Sequence, residues 1–117
     1  MFAIAAPAIA AVQYTYIVTI ASTITFNNLW GVANCSGTVE SINDNKMEVE
    51  VTLQQEGDNG WEDLKTWTNT GYYSVTASGS WAITRGEYYR LYVTAYVYND
   101  SGRIVESGTQ TQIKYFG

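Results

Sequence analysis

The sequence predicts an all-β protein, a single antiparallel β-sandwich of about seven strands. Apolar and polar residues alternate without a break from Tyr88 to Tyr98, which is the period of a half-buried strand. Turn-forming residues recur about every ten residues, the spacing of short antiparallel strands. No stretch after Ala11 repeats its apolar residues with the period of a helix. Together these observations favour two packed sheets over a helical or mixed fold.

The composition limits the chemistry that this chain can perform. Of its 117 residues, 46% are apolar and 15% are charged, and the net charge is −5. The six basic residues are scattered, so no patch of Lys and Arg is available to neutralise the phosphates of a nucleic acid. The chain has no histidine and one cysteine, Cys35, which removes the usual groups of zinc sites and of nucleophilic catalysis. We therefore expect a non-enzymatic domain without a cofactor or a metal.

Residues 1–10 have the pattern of the end of a secretory signal peptide. Pro7 interrupts an apolar run, and Ala8-Ile9-Ala10 then provides the small residues of a cleavage site. The sequence therefore predicts a cleaved remnant at 1–10, a mature domain at 11–117 and a secreted, extracellular location. A membrane anchor from Met1 to Ile20 is the alternative, but polar residues interrupt its second half, and a span needs about 20 mainly apolar residues.

The first three strands follow from alternation in the first half of the chain. One strand covers Val12–Asn28, with a break allowed near Ala21-Ser22. The second covers Leu29–Ile42, and the turn Asn43–Asn45 separates it from a third at Met47–Gln54. The residues predicted to face the core are Ala33, Cys35, Gly37 and Val39 in the second strand, and Met47, Val49, Val51 and Leu53 in the third.

Four further strands complete the predicted sandwich. Glu56–Gly60 has the turn chemistry of a hairpin, because Asn-Gly readily supplies positive φ angles. Turns at Asn69–Gly71 and Asn99–Gly102 are predicted by the same kinds of residues, and Trp81-Ala82-Ile83 either continues a strand or forms a separate piece. The predicted strands are Trp61–Thr68, Tyr72–Ala77, Tyr88–Tyr98 and Ile104–Tyr115. Their predicted core residues are Tyr89, Leu91, Val93, Ala95 and Val97, with Val105, Ile113 and Tyr115 in the last strand.

Cys35 is predicted to be buried and reduced. It shares the inward parity of Ala33 and Val39, and a free cysteine commonly behaves as a small buried hydrophobe. The alternative is an intermolecular disulfide, which an unpaired cysteine in a secreted chain invites.

The tyrosines of the Tyr88–Tyr98 strand are the candidate binding surface. Tyr88, Tyr92, Tyr96 and Tyr98 fall on the outward face of that strand. Flat aromatic side chains in an exposed row can stack on sugar rings or anchor a protein interface. The alternative is that they form cross-strand pairs, which stabilise a sheet without any ligand.

Two acidic groups are weaker candidates for chemistry. Glu48 and Glu50 project from one face of the third strand, and paired carboxylates carry out glycosidic acid–base catalysis; a solvated outer face explains the same pattern. Asp58, Asn59, Glu62 and Asp63 surround a hairpin tip and offer oxygen ligands for Ca²⁺. A plain polar turn explains this second cluster, whose spacing matches no calcium-loop signature.

The residues Gly86–Ala95 resemble the penultimate strand of immunoglobulin-like and fibronectin type III sandwiches. Cys35 lies where the second immunoglobulin strand has its cysteine, although the matching cysteine in the Tyr88–Tyr98 strand is absent. The chain is also similar to a group of small secreted bacterial proteins of unknown function, and this resemblance implies a location and a fold but no activity. It rests on Val51–Gln55, Gly60–Trp67, Gly86–Ala95 and Tyr98–Ser107.

The expected function is therefore that of a secreted binding or adhesion module at or outside the cell surface. It would present the outward tyrosines, or the loops Gly57–Gly60 and Asn99–Gly102, to an extracellular glycan or protein. Nucleic acid is not an expected partner, and no membrane span is expected in the mature chain. The alternative is a structural protein that self-associates through sheet edges, because its strands carry few of the Lys or Pro residues that usually block edge pairing.

Overall fold

The computed structural model describes residues 14–117, which form seven strands and contain no helix. The strands are β1 Ile17–Asn27, β2 Val32–Ser41, β3 Lys46–Gly57, β4 Gly60–Tyr72, β5 Ser74–Ala82, β6 Glu87–Tyr98 and β7 Ile104–Phe116. All neighbouring strands are antiparallel, in a three-stranded sheet of order β1-β2-β5 and a four-stranded sheet of order β4-β3-β6-β7. The predicted all-β sandwich is confirmed. The predicted signal peptide at 1–10 lies outside the described residues.

Between residues 14 and 117 there is accordingly no helix of the length and apolarity needed to cross a membrane.

The core lies between the two sheets and is built mainly from the inward stripes of β2, β3 and β6, with further buried residues from β1, β5 and β7. The alternation predicted for β6 is confirmed, because its five inward residues are all 0% exposed. Burying a Val, Leu or Ile side chain stabilises the fold by about 1.5–3 kcal/mol. Within 14–117, every fully buried residue is apolar. The buried residues of the three central strands are Ala33, Cys35, Val39, Met47, Val49, Val51, Leu53, Tyr89, Leu91, Val93, Ala95 and Val97.

Gly37 allows the two sheets to approach closely at the centre of this core. Val51 and Val93 are register partners in β3 and β6, and both face Gly37 of β2. A Cβ atom on Gly37 would lie 2.5 Å from Cγ2 of Val51 and 2.9 Å from either Cγ atom of Val93. A side chain at this position would therefore overpack the core.

The predicted start of the second strand at Leu29 is wrong, because residues 28–31 form a turn. The Oδ1 atom of Asn27 accepts the backbone N–H groups of Leu29 at 3.0 Å and Trp30 at 3.1 Å. Gly31 then adopts a positive φ of 64°, which glycine reaches without steric cost. Leu29 and Trp30 are consequently 82% and 75% exposed. The preceding strand β1 continues through Ala21-Ser22 without a break.

The predicted turn at Asn69–Gly71 is also wrong, since β4 continues pairing with β3 as far as Tyr72. The chain turns at Tyr73 instead, which has a φ of 65°. The Asn69 side chain donates to the carbonyl of Thr76 at 2.8 Å and so joins the edges of β4 and β5. Strand β5 likewise runs unbroken to Ala82. Its Gly79 leaves the space into which the Trp67 indole packs.

The prediction that Val105, Ile113 and Tyr115 face the core is wrong. These side chains are 41%, 56% and 50% exposed. The residues of β7 that pair with buried residues of β6 are instead Glu106, Gly108, Gln110, Gln112 and Lys114. Phe116, at the end of the strand, is buried.

The polar inward face of β7 has a physical cause in the edge of β1. Strand β1 ends its sheet, so its outer backbone groups need hydrogen-bond partners that no neighbouring strand supplies. The Glu106 carboxylate accepts the N–H groups of Thr15, Tyr16 and Ile17 at 2.6, 2.9 and 2.7 Å. Gln112 accepts the N–H of Ile24 at 3.3 Å, and Lys114 approaches the Ile24 carbonyl at 3.5 Å. Side chains of β7 therefore replace a strand partner for β1.

Candidate binding face

Four tyrosines of β6 project from the outward side of the four-stranded sheet, as the alternation predicts; Tyr88, Tyr92, Tyr96 and Tyr98 are called here the tyrosine face. Tyr88 is 48% exposed and the other three are half-buried between their neighbours. Their register partners are mostly hydroxyl-bearing or acidic residues. These partners are Tyr115, Thr111, Ser107 and Ile104 on β7, and Thr52 and Glu48 on β3.

The half of the tyrosine face near the start of β6 is a row of stacked side chains. The Arg90 guanidinium lies 4.7 Å from the centroid of the Trp61 ring and 5.4 Å from that of Tyr92. Its Nε atom donates to Gln54 at 2.7 Å, and Gln54 donates to Asp63 at 2.8 Å. Hydrogen bonds therefore position Arg90, whose guanidinium makes cation–π contacts with both Trp61 and Tyr92.

Tyr88 forms a cross-strand pair at the same end of the sheet. Its ring centroid is 4.7 Å from that of Tyr115, with the planes inclined at 51°. Because both residues stay about half exposed, this pair contributes both sheet stability and accessible aromatic surface. The cross-strand pairing that the sequence offered as the alternative therefore occurs at Tyr88.

The half of the tyrosine face near the end of β6 opens into a cavity. Tyr98 donates its hydroxyl hydrogen to Oε1 of Glu48 at 3.0 Å. Burial, this hydrogen bond and the negative charge of Glu48 together raise the pKa of Tyr98 above its ordinary value. The cavity has a volume of about 580 Å³. It is lined by Asp44, Lys46, Glu48, Thr70, Tyr72, Tyr98, Asn99, Asp100 and Gly102.

The two predicted recognition loops lie at opposite ends of the four-stranded sheet. Strands β3 and β6 are antiparallel, with Gln55 opposite Tyr89 at one end and Met47 opposite Val97 at the other. The Gly57–Gly60 hairpin therefore lies near the stacked row, whereas Asn99–Gly102 forms part of the cavity. A single small ligand cannot contact both loops.

Tyr72, Asp44 and Lys46 are cavity residues that sequence reasoning missed. Tyr72 stands opposite Lys46 because β4 extends four residues past its predicted end at Thr68. The outward parity of Lys46 with Glu48 was a usable signal, since residues two apart in a strand share a face. Tyr72 had no such signal, because its place depends on the length of the β3–β4 pairing.

Of the acidic candidates, Glu48 lines the cavity beside Tyr98, whereas the four hairpin-tip residues occupy exposed surface. Glu48 and Glu50 do share the outward face of β3, and their β4 partners are Thr70 and Thr68. At the hairpin tip, Asp58 is exposed, and Asp63 accepts a hydrogen bond from Gln54. Across the described range 14–117, no three His, Cys, Asp or Glu side chains come together in a group able to hold a metal ion.

A second surface, on the outward side of the three-stranded sheet, is built from small hydroxyl side chains. The Thr38 and Thr76 hydroxyls are 2.7 Å apart, and Ser80 donates to the Asn34 side chain at 2.8 Å. Rows such as Thr23, Ser36 and Ser78 continue this pattern across the three strands. The surface lacks large aromatic groups along these rows, so it differs in chemistry from the tyrosine face.

No protein-family model matches the sequence, and no curated protein matches it significantly.

Proposed function

We propose that this chain is a secreted, non-enzymatic β-sandwich domain that acts as a binding or adhesion module at or outside the cell surface. Its binding surface is the tyrosine face. The observation that carries the proposal is that aromatic side chains remain accessible on the outward face of the sheet, which does not pack into the core. The core uses the other stripe of β6, which is 0% exposed. Accessible aromatic rings in a row are suited to stacking on sugar rings or to anchoring a protein partner.

The strand order and one buried tyrosine support a sandwich of the immunoglobulin-like or fibronectin type III kind. The hydroxyl of Tyr89, at the start of β6, bonds to the backbone of Thr84 in the preceding connection. This is the geometry of the tyrosine corner found in such domains. Leu91, two residues further on, then stands at the position of their second cysteine, and Cys35 of β2 faces the core without a partner cysteine. Many cell-surface domains share this architecture.

The secreted location in this proposal rests on the small residues Ala8-Ile9-Ala10 after Pro7. It also agrees with the resemblance to small secreted bacterial proteins. Mass spectrometry of the product secreted with its full leader tests it: a mature N-terminus at Ala11 is expected, and an intact Met1 would contradict it.

A glycan array tests the binding proposal directly. The wild-type chain should bind at least one glycan class, and Tyr96→Ser should lose that binding because it removes the central ring of the tyrosine face. Thr76→Ala is the matched control, since it alters an exposed residue on the opposite sheet and should leave binding unchanged. Equal binding by Tyr96→Ser and the wild type would remove the tyrosine face as the site.

Self-association through sheet edges is a second candidate function, and strand β7 favours it. This strand ends the four-stranded sheet and exposes the apolar residues Ile104, Val105 and Ile113. Lys114, a residue type that usually protects such an edge, points toward the carbonyl of Ile24 instead. Light scattering across a range of concentrations tests this candidate, and a monomer at the highest concentration would exclude it.

A further inference from the structure

The cavity beside Tyr98 is assembled from three separate segments of the chain. The turn before β3 contributes Asp44, the end of β4 contributes Tyr72, and the β6–β7 turn contributes Asp100. Its volume of about 580 Å³ falls within the range of about 300–1,000 Å³ that is common for small-molecule sites. The cavity is therefore large enough for one or more sugar rings.

Two tyrosines provide the flat surfaces of this cavity. Tyr72 is 60% exposed, so its ring is available for stacking. Tyr98 is held in place, because its hydroxyl donates to Glu48 at 3.0 Å. A ring fixed before the ligand arrives loses less conformational freedom on binding than a free side chain does.

The charges around the cavity select against anions. Asp44, Glu48 and Asp100 place three carboxylates against the single ammonium group of Lys46, which leaves a net charge of −2 on the lining. Such a lining repels phosphate, sulfate and uronate groups and attracts a cation. Carboxylate oxygens are hydrogen-bond acceptors only, so they match a ligand that is rich in donors.

The turn that carries Asp100 is fixed by its own hydrogen bonds. The Oδ1 atom of Asn99 accepts the N–H groups of Ser101 and Arg103, each at 3.0 Å. The Asn99 side chain therefore stabilises the turn, and Asp100 at the tip of the turn is exposed. The carboxylate of Asp100 is thus presented at the cavity by a structured loop.

We propose that this cavity binds an unacetylated amino sugar, that is, a saccharide unit with an ammonium group and free hydroxyl groups. The ring of the sugar stacks on Tyr72. The ammonium group and the hydroxyls donate hydrogen bonds to Asp100, Asp44 and the Glu48 oxygen that Tyr98 leaves free. This inference rests on the proposed function and assigns a ligand class to one end of the tyrosine face.

Titration calorimetry of the full chain tests the assignment with three oligosaccharides of equal length. These are a glucosamine tetramer, its fully N-acetylated counterpart and a galacturonic acid tetramer, in low salt at a mildly acidic pH that keeps the amine protonated. The glucosamine tetramer should bind at least tenfold more tightly than the acetylated one, and the uronate should not bind. Equal affinity for the first two would overturn the ammonium assignment but leave the proposed function standing.

Two variants with matched controls locate the binding. Tyr72→Ala and Asp100→Asn should each weaken glucosamine binding at least fivefold. Trp30→Ala removes a comparably exposed ring in the β1–β2 turn, and Glu40→Gln removes one carboxylate from the other sheet; neither should change the affinity. Unchanged affinity in both cavity variants would place the ligand elsewhere and overturn the inference. Failure of all three oligosaccharides to bind would also overturn it, and a blank glycan array would in addition remove glycans as partners of the tyrosine face.

Discussion

The hydroxyl of Tyr89 accepts the backbone N–H of Thr84 at 2.8 Å and donates to the carbonyl oxygen of the same residue at 2.9 Å. One side chain thereby satisfies both peptide groups of a residue in the connection between β5 and β6. The ring of Tyr89 is 0% exposed and packs edge-on against Phe26, at a centroid distance of 6.0 Å. Tyr89 therefore attaches this connection to the core.

Tyr89→Phe should destabilise the domain by about 1–3 kcal/mol, because it leaves the N–H and C=O of Thr84 without their partner while keeping the ring. Urea unfolding measures the change. Tyr88→Phe is the control, since Tyr88 is about half exposed on the outward face and should change stability by less than about 0.5 kcal/mol. Equal effects of the two substitutions would show that the hydroxyl of Tyr89 has no special role.

Glu106 gives the stability of β1 a dependence on pH. Partial burial by itself raises the pKa of Glu106, but the hydrogen bonds from the backbone N–H groups of Ile17, Thr15 and Tyr16 lower it by more, so the net pKa lies below its ordinary value. A carboxyl whose pKa is depressed in the folded state stabilises that state above the unfolded pKa. This stabilisation is lost as the pH falls through the folded pKa.

Glu106→Gln should therefore destabilise the chain at neutral pH and have a smaller effect in acid. The free energy of unfolding of variant and wild type, measured from pH 7 down to pH 2, should converge below the ordinary glutamate pKa. Glu40 is an exposed carboxylate on the other sheet, so Glu40→Gln is the control. Its free energy of unfolding should stay close to that of the wild type at every pH. A constant difference between Glu106→Gln and the wild type at all pH values would contradict the role of its charge.

The contrast between β6 and β7 explains how much of the fold the sequence could predict. In β6, a central strand, one stripe must be apolar because it faces the core, so alternation gave the correct facing of Leu91 and Val93. In β7 the inward stripe meets the backbone edge of β1, and hydrogen-bonding residues such as Glu106 occupy it. Hydrophobicity then indicates the wrong face, and Ile113 was assigned inward although it is 56% exposed.

The candidate site was predictable only in part for a similar reason. The outward position of Tyr98 follows from local alternation, and the turn at Asn99–Gly102 follows from its residue types. The contribution of Tyr72 depends on how far β4 pairs with β3, and Asn69–Gly71 looked like a turn in isolation. Pairing with β3 keeps Asn69–Gly71 in a strand despite their local preference for a turn, as is common in sheets.

Cys35 should react slowly with thiol reagents in the native protein. Its side chain is 3% exposed, which confirms the predicted burial, and this burial raises the pKa of the thiol to about 11. Little thiolate is therefore present at pH 8, and the thiolate is the reactive form. Labelling with a disulfide reagent should be complete within seconds in denaturant and slower by at least 100-fold without it. Rapid native labelling would contradict the inward facing of Cys35.

The register of β6 can be tested with two neighbouring substitutions of opposite facing. Val93 is 0% exposed and packs against the position of Gly37, so Val93→Asp would bury an unpaired carboxylate. That change should cost several kcal/mol, comparable to the whole stability of a small domain, and should unfold it. Tyr92 is half-buried on the outward face, and Tyr92→Ser should cost about 1 kcal/mol or less by removing cross-strand packing.

Thermal melts of the two variants decide between the two possible facings, because a shift of register by one residue would exchange their roles. Tyr92→Ser should melt cooperatively within a few degrees of the wild type, and Val93→Asp should show no cooperative transition. Tyr92 also stacks on Arg90, with 5.4 Å between the guanidinium and the ring centroid, so its loss should leave Trp61 as the remaining aromatic contact of Arg90. If Tyr92→Ser were the more damaging change, the tyrosine stripe would be the core, and the proposal of a tyrosine binding face would lose its structural basis.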